Sequence, residues 1–398
     1  MTKFFVYGMR VFDEKVYFDR YSKEMGMEYG YTEEAPSMDN YRLAEGYDAI
    51  CILTHAINSE LMDAFKSVGV KMIGTRSNGY DHIDVAHAKE TGMIVTNVVY
   101  DPIGVAEYTV LLMLMVVRNI KKIEARNVAN DFRLNGMLGR SLGELKVGIV
   151  GAGTIGLRVL RMLSGFGCET YYYNRSPSPA ADKLAHRLEF DELLETCDIV
   201  SIHIELNGET YHKFNSSAFE KMKEDAILIN TSRGAVVDTE ALIEALESGS
   251  IGGAGIDVVE DEFSFYYYDC SGTEISNPYM DRLRAMDNVV FTHHMAFYCD
   301  ASVRGMAVCS MESIKAMGEG KDIPHRLARI GTGSSERSVA GSSRAARPPR
   351  NPCPWLCCAG TRRSCPMRLS SLSSRNRRQS AIPFRTSSAP RPSGRPRG

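Results

Sequence analysis

Short runs of apolar residues alternate with polar or helix-type sequence over the first 296 residues. The runs up to residue 100 are FFVYG, DAICIL, KMIGT and MIVTNV, and the later ones are LKVGIV, CETYYYN, DIVSIHI, AILINTS, GGAGIDVV and NVVFTHH. Apolar runs of this length between helical segments predict buried parallel strands. The pattern therefore predicts an α/β fold with two doubly wound, Rossmann-like parallel sheets and a cleft between them.

The same pattern divides the chain into four segments. Residues 1–100 are predicted to form the first part of a substrate-binding and catalytic domain, and residues 101–296 a dinucleotide-binding Rossmann domain. Residues 297–325 read as an amphipathic helix that returns to the first domain. Hydrophobic periodicity then stops, and residues 326–398, rich in Arg, Ser and Pro, are predicted to be a disordered tail.

A glycine-rich turn, VGIVGAGTIG, lies between a predicted strand and a predicted helix. In a dinucleotide-binding βαβ unit, Gly151 would make the tight turn, Gly153 would admit the pyrophosphate, and Gly156 would let the helix pack on the strand. The helix beginning near Thr154 would offer free N–H groups to the phosphates. Glycines also punctuate ordinary turns, so the flanking strand and helix carry this prediction.

The next strand ends in Asn174, Arg175 and Ser176, where an NAD site would carry an acidic residue for the ribose 2′-hydroxyl. A cation and a hydroxyl at this point suit a 2′-phosphate. NADPH is therefore favoured as the cofactor, NADH stays possible, and a solvated loop charge is the alternative role for Arg175.

Four polar residues follow successive predicted strands, at the edge where parallel sheets bind ligands. They are Arg233 after AILINTS, Asp257 at the end of GGAGID, Glu262 five residues after it, and His294 at the end of NVVFTHH. Reduction of a 2-oxo acid needs a cation for the substrate, a proton donor, and a carboxylate that keeps the donor charged. Taken singly, Arg233 could form a surface ion pair, Glu262 could be a solvated loop acid, and His294 could be a histidine of the core.

The stretches INTSRGAVVDTEAL, GIDVVEDE and FTHHMAFY resemble signatures of the D-isomer-specific 2-hydroxyacid dehydrogenases over residues 1–320. Asp257, Glu262 and His294 lie 24, 29 and 61 residues after Arg233, as in the D-lactate dehydrogenase branch. GTRSNGYDHID, NDFRL, SGFGC, YNRS and FYYYDC are most similar to the enzymes of glycopeptide (vancomycin) resistance clusters.

The resemblance implies reduction of a 2-oxo acid, with pyruvate to D-lactate the first expectation and a branched or aromatic acid the alternative. It implies that Arg233 binds the substrate carboxylate and carbonyl, that His294 is the acid/base, and that Glu262 is its partner. Asp257 would help set the protonation of the site and contact the nicotinamide end. A dinucleotide sensor without turnover is the alternative from another class, because fold alone does not fix function.

Further site positions follow from the same resemblance. Substrate contacts are implied for Ser77, Asn78, Gly79, Tyr100, Phe297 and Tyr298. Cofactor contacts are implied for Thr154, Ile155, Ile204, Glu205, Thr231, Ser232, Arg233 and Asp257. For Tyr100, Phe297 and Tyr298, simple core packing remains the alternative.

Three departures from the family pattern affect these expectations. His293 stands where the family usually has proline, although the spacing favours His294 as the acid. Glu205 follows His203 and Ile204 where a proline is common, and would weaken NADPH binding. The basic tail replaces the family's closing C-terminal segment.

The formal net charge of −2 hides an asymmetry. From Arg326 onward there are 16 Arg, no Lys and one acid, Glu336, so the tail carries +15 and the rest −17. Such a tail could bind nucleic acid or an anionic membrane, and Cys353, Cys357, Cys358 and Cys365 could be imagined as metal ligands. The cysteines lack CxxC spacing, so neither a metal, a nucleic acid nor a membrane is expected.

The sequence also predicts a location and an assembly. The N-terminus lacks the long apolar stretch of a secretory signal, and scattered cysteines suit reduced thiols, so a cytoplasmic enzyme is expected. The apolar helix at residues 105–117 would either fill the interior of the cofactor domain or bury against a second subunit. The resemblance favours a homodimer.

Overall fold

The computed structural model describes residues 1–262, 265–267, 269–273, 275 and 277–327. Within them, two entirely parallel sheets are flanked by helices, so the predicted fold class is confirmed. The predicted disordered tail lies outside the described residues from residue 328 onward, and the domain boundaries stay predictions.

The first sheet has five strands in the order β2-β1-β3-β4-β5. Its strands are β1 Lys3–Val6, β2 Glu28–Tyr31, β3 Ala49–Ile52, β4 Met72–Thr75 and β5 Ile94–Thr96. The helices between them are α1 Lys15–Met25, α2 Ser59–Ser67 and α3 Val85–Thr91, with a 3₁₀ turn at Tyr41–Ala44. Asn58 and Asp84 begin α2 and α3 because their side chains accept backbone N–H groups of the first turn. Apolar clusters cover both faces of this sheet.

The second sheet has seven strands in the order β12-β11-β10-β9-β6-β7-β8. Its strands are β6 Lys146–Val150, β7 Glu169–Tyr173, β8 His186–Arg187, β9 Ile199–Ile202, β10 Ile227–Asn230, β11 Gly253–Ile256 and β12 Val289–Phe291. The strand order reverses between β6 and β9, which opens a crevice at their carboxyl ends. The glycine-rich turn after β6 lies at this crevice.

Helices pack on both faces of the second sheet. They are α4 Ile103–Val117, α5 Ile120–Val128, α6 Thr154–Leu163, α7 Phe190–Thr196, α8 Ser216–Lys221, α9 Thr239–Ser248 and α10 Met280–Ala285, with 3₁₀ turns at Leu142–Glu144 and Gly234–Val236. The apolar helix α4 packs against α6, β10 and β11. It therefore fills the interior, which was one of its two predicted roles.

The last helix, α11 Asp300–Gly318, packs against α1 and β4 of the first sheet. After it, Arg326 forms an antiparallel bridge with Thr96, and the backbone N–H of Leu327 donates to Val95 at 2.9 Å. The described chain therefore continues through Leu327, and the start of the tail at residue 326 stays a prediction. Arg326 and Leu327 are held by backbone pairing with β5, and such pairing cannot be predicted from hydrophobic periodicity.

Two strands escaped the sequence pattern. β2 carries EYGY, whose residues are all at least partly exposed, and β8 has only two residues, both exposed. Edge strands of this kind lack the apolar run that marks a buried strand. Among the described residues, no single helix is long and apolar enough to cross a membrane. Helices α4 and α5 reach that length and composition only when taken together, and their axes are bent by 64°.

Candidate active site

A histidine and a carboxylate form a dyad beside the carboxyl ends of β11 and β12. Nδ1 of His294 lies 2.6 Å from Oε1 of Glu262, and Oε2 of Glu262 accepts the backbone N–H of Val259 at 2.8 Å. Glu262 is 2% exposed, so its charge is shielded from water. With Nδ1 donating to Glu262, Nε2 is left for a substrate.

The structure distinguishes the two adjacent histidines. His293 is exposed, whereas His294 is partly buried and its ring packs edge-on to Tyr266 and Phe297 at 5.9 and 6.1 Å between centroids. His294 also has a positive φ of 57°, a conformation that is costly for a residue with a side chain. The surrounding contacts hold this backbone turn so that the His294 ring, and not that of His293, meets Glu262.

Asp257 supplies much of that support. Its carboxylate is fully buried and accepts hydrogen bonds from the Thr292 hydroxyl at 2.6 Å and from the N–H groups of Met295 at 2.8 Å and Ala296 at 2.9 Å. The N–H of His294 donates to the Asp257 carbonyl at 2.7 Å. Both carboxylate oxygens are engaged within the protein, so Asp257 holds the His294 turn, and its contact with the nicotinamide end stays a prediction.

Arg233 follows β10 and reaches toward the loop after β4. Its Nη1 donates to the Ser232 carbonyl at 2.8 Å, and its guanidinium occupies the place of a Cβ at Gly79. Gly79 thus lies against Arg233, and Ser77 and Asn78 precede it in the same loop. That these residues share a site for the substrate carboxylate stays a prediction. The Ser77 hydroxyl donates to the Gly79 carbonyl at 2.6 Å and shapes this loop.

The predicted aromatic positions gather nearby. Tyr100 and Phe297 pack on a small apolar cluster formed by Leu53, Val98 and Met306. Burial raises the pKa of the Tyr100 phenol to about 12, so the phenol is uncharged. Core packing, the alternative for Tyr100 and Phe297, therefore holds in part. Tyr298 is more exposed, and the guanidinium of Arg10 lies 5.7 Å from its ring centroid.

A cavity of about 1190 Å³ lies next to the segment that carries His294, and it is lined by His293 and Met295 rather than by His294, Glu262 or Arg233. Its lining is largely aromatic and includes Phe265, Tyr266, Tyr267, Phe297 and Tyr298, together with Arg10, His55 and His293 from the loops of both sheets. Sequence reasoning missed Arg10 and His55, because neither stands in a recognisable motif. It also missed Asp81, an acid two positions after Gly79 that lies 3.7 Å from Nε of Arg233.

The glycine turn has the geometry of a phosphate cradle. Gly151 has φ of 100°, and a Cβ there would lie 2.5 Å from the His203 carbonyl oxygen. At Gly156 a Cβ would overlap the Gly151 carbonyl, whereas at Gly153 it would meet no atom of the described residues within 4 Å. The open side at Gly153 and the exposed first turn of α6 at Thr154 fit a pyrophosphate group.

The other predicted cofactor positions lie around this crevice. Ile155 and Ile204 are partly buried, and Asn174 donates to the Ser176 carbonyl at 3.0 Å. Arg175 is exposed and lies 3.4 Å from the equally exposed Glu209. The structure places Glu205 at the surface after β9.

Thr231 and Ser232 lie at the carboxyl end of β10. The Thr231 hydroxyl lies 2.9 Å from that of Thr109 and is buried, whereas Ser232 donates its hydroxyl and N–H groups to Oδ1 of Asn230. Thr231 thus ties α4 to β10, and Ser232 keeps the turn that carries Arg233 in place.

Comparisons with known proteins agree with this geometry. The family model described as "D-isomer specific 2-hydroxyacid dehydrogenase, NAD binding domain" matches residues 110–296. A "D-specific alpha-keto acid dehydrogenase" of Enterococcus faecium is 44% identical over 248 residues, 62% of this chain and 76% of the relative. The "D-lactate dehydrogenase" of Escherichia coli K12 is 33% identical over 328 residues, 82% of this chain and 99% of the relative.

Solved structures are similar as well. A D-2-hydroxyisocaproate dehydrogenase superposes with a TM-score of 0.76 at 29% identity and covers 83% of this chain and all of that one. The fold and the site thus define a nicotinamide dinucleotide-dependent oxidoreductase. The chain belongs to the D-isomer-specific 2-hydroxyacid dehydrogenase family.

Proposed function

We propose that this enzyme reduces a small 2-oxo acid to the D-2-hydroxy acid, that pyruvate is its main substrate and D-lactate the product, and that it prefers NADPH. The observation that carries the proposal is that the His294–Glu262 dyad and Arg233 border the same region. Both reach Tyr267: burial raises the pKa of the Tyr267 phenol, the charge of Glu262 raises that pKa further, and the charge of Arg233 lowers it. Reduction of a carbonyl group needs a cation that binds the substrate and a histidine, paired with a carboxylate, that donates a proton.

In this proposal Arg233 binds the substrate carboxylate and orients the keto carbon. His294 delivers the proton from Nε2 to the carbonyl oxygen while Nδ1 stays bonded to Glu262. The dinucleotide, when bound along Gly151, Gly153 and the start of α6, supplies the hydride. Asp257 acts through the backbone, because it holds the turn that aims His294.

A larger 2-oxo acid, with an aromatic or branched side chain, is the second candidate. The rings of Tyr266 and Phe297 pack edge-on to the His294 ring, and aromatic neighbours of this kind suit such a side chain. An "Aromatic 2-oxoacid reductase" of Clostridium sporogenes is 34% identical over 306 residues. The kcat/KM values of the full chain for pyruvate, 2-oxoisocaproate and phenylpyruvate decide between the two: pyruvate is expected to lead, and a clear lead of phenylpyruvate would select the second candidate.

The NADPH preference rests on the end of β7, where Asn174 and Arg175 replace an acid. The Arg175 side chain is 85% exposed and free to turn from Glu209 to a 2′-phosphate. Arg175→Ala should weaken NADPH binding about 5- to 20-fold and change NADH binding less than about twofold. Arg161→Ala at the other end of α6 is the matched control. Equal affinity of the wild type for both cofactors would contradict the preference.

We further propose a homodimer in the cytoplasm. Val128, Phe132, Leu134 and Leu138 lie on α5 and the segment after it, and Leu134 and Leu138 are 87% and 94% exposed. Apolar side chains clustered in this way mark a protein interface. Leu134→Glu with Leu138→Glu should halve the sedimenting mass, whereas Leu43→Glu on the first sheet should not. A wild-type monomer would contradict the proposal.

A further inference from the structure

Asp81 and Arg233 form an ion pair between the two sheets. Asp81 lies in the loop after β4, Arg233 lies in the turn after β10, and Oδ1 of Asp81 is 3.7 Å from Nε of Arg233. The two side chains are 45% and 29% exposed, so the pair borders the cleft. This acid stands beside the cation that the proposed reaction needs for its substrate.

Three contacts surround the Arg233 guanidinium. Asp81 faces Nε, the Ser232 carbonyl accepts from Nη1 at 2.8 Å, and Nη2 lies against Gly79, where a Cβ would overlap it. Asp81 and Gly79 belong to the same loop, so this loop contacts the guanidinium at two of its nitrogens. Together with the Ser232 carbonyl, these contacts restrict the orientation of the guanidinium beside the loop.

We propose that Asp81 is a positioning residue, which orients Arg233 for the carboxylate of the 2-oxo acid. Arginine has several rotatable bonds, and a guanidinium binds a carboxylate best when its plane is fixed beforehand. Asp81 contributes this orientation from the opposite sheet. The inference rests on the proposed function, because it assigns the substrate carboxylate to Arg233.

A competing role for Asp81 makes the opposite prediction. A carboxylate beside Arg233 could merely neutralise it and compete with the substrate. Removal of the competitor would then lower KM for the 2-oxo acid, whereas removal of a positioning residue raises it. The sign of the change in KM separates the two roles.

The test compares Asp81→Ala, Asp81→Asn and the wild type as full chains, with pyruvate and phenylpyruvate as substrates. Asp81→Ala should raise KM for the better substrate about tenfold and change kcat less than about threefold. A tenfold rise in KM is larger than the loss of an exposed ion pair usually causes and smaller than the loss that a misplaced substrate-binding group causes. Asp81→Asn keeps an acceptor oxygen and should recover part of the loss. The dissociation constant of the reduced dinucleotide should stay unchanged.

The matched control is Asp84→Ala, three residues further along. Asp84 caps α3 by accepting the N–H of His87 at 2.9 Å. Its loss should lower the unfolding temperature and leave KM near the wild-type value. If Asp81→Ala behaved like Asp84→Ala, with lower stability and unchanged KM, the positioning role would be overturned.

Oxamate binding to the dinucleotide-loaded protein gives the same comparison without turnover. Asp81→Ala should weaken oxamate binding about tenfold, in parallel with KM. Unchanged or tighter oxamate binding overturns the inference. A wild type that binds oxamate more tightly than Asp81→Ala does, but reduces neither acid, would instead overturn the proposed function and keep the inference.

Discussion

The Nδ1 atom of His294 lies 2.6 Å from Oε1 of Glu262, although the two residues are 32 positions apart. Oε2 of the same carboxylate accepts the N–H of Val259, so each oxygen of Glu262 has its own donor. The carboxylate is 2% exposed, and water competes little with either bond. His294 is thereby held in one orientation, with its second nitrogen directed away from Glu262.

Glu262→Gln keeps the shape of this side chain and removes its charge. The amide has one acceptor oxygen for two donors, so either the His294 bond or the Val259 bond is lost. We expect kcat for 2-oxo acid reduction to fall about 10- to 10²-fold, because protonated His294 loses its counter-charge. Steady-state kinetics of the variant and the wild type with the same 2-oxo acid measure this loss. A wild-type kcat in the variant would remove Glu262 from the proton transfer.

Asp257→Asn tests the support of the His294 turn. Two backbone N–H groups and one hydroxyl donate to the carboxylate, and an amide would present its own NH₂ group to one of these donors. The variant should lose about 1 to 3 kcal/mol of unfolding free energy and about tenfold in kcat as His294 shifts. Urea unfolding and kinetics measure both, and full activity in a destabilised variant would show that the turn does not need Asp257.

The glycine turn separates cofactor binding from folding. A Cβ at Gly153 meets no atom of the described residues within 4 Å, whereas a Cβ at Gly156 overlaps the Gly151 carbonyl. Gly153→Ala should therefore keep the unfolding temperature and weaken dinucleotide binding about tenfold or more, because the methyl group occupies the pyrophosphate side. Gly156→Ala should lower both. Circular dichroism and fluorescence titration with NADPH test this, and normal NADPH binding by Gly153→Ala would place the pyrophosphate elsewhere.

His82 predicts a pH dependence of stability. Burial, and to a lesser degree Arg233, lowers its pKa from 6.5 to about 4, against the opposing effect of Asp81. Below pH 6.5 the His82 side chain of the unfolded chain becomes protonated, whereas that of the folded chain becomes protonated only near pH 4. The contribution of His82 to the unfolding free energy is therefore fully present above pH 6.5. As the pH falls from 6.5 toward 4, the folded chain loses about 1 to 3 kcal/mol of this stability.

His82→Gln isolates this contribution from those of other groups. Between pH 7 and pH 4.5 the variant should lose less unfolding free energy than the wild type, as measured by urea unfolding at each pH. Equal losses in the two proteins would show that His82 titrates normally in the folded chain.

The buried strands and the residues after them could be predicted from sequence, because parallel strands need apolar runs and their carboxyl ends carry the polar groups. Asp257, Glu262 and His294 were found in this way. The support role of Asp257 could not be, because it depends on backbone N–H groups of residues 295 and 296 turning toward it. Asp81 was missed for a similar reason: its partner Arg233 is 152 positions away, and only the folded chain brings them together.

His294→Ala in the full chain tests the central claim most directly. The oxidation of NADPH and NADH is followed with pyruvate and with phenylpyruvate, for the wild type and for the variant. Wild-type turnover, with a loss in kcat of about 10²- to 10⁴-fold in His294→Ala and unchanged dinucleotide binding, is the predicted result. Turnover by the variant at a rate near that of the wild type would contradict the assignment of His294 as the proton donor.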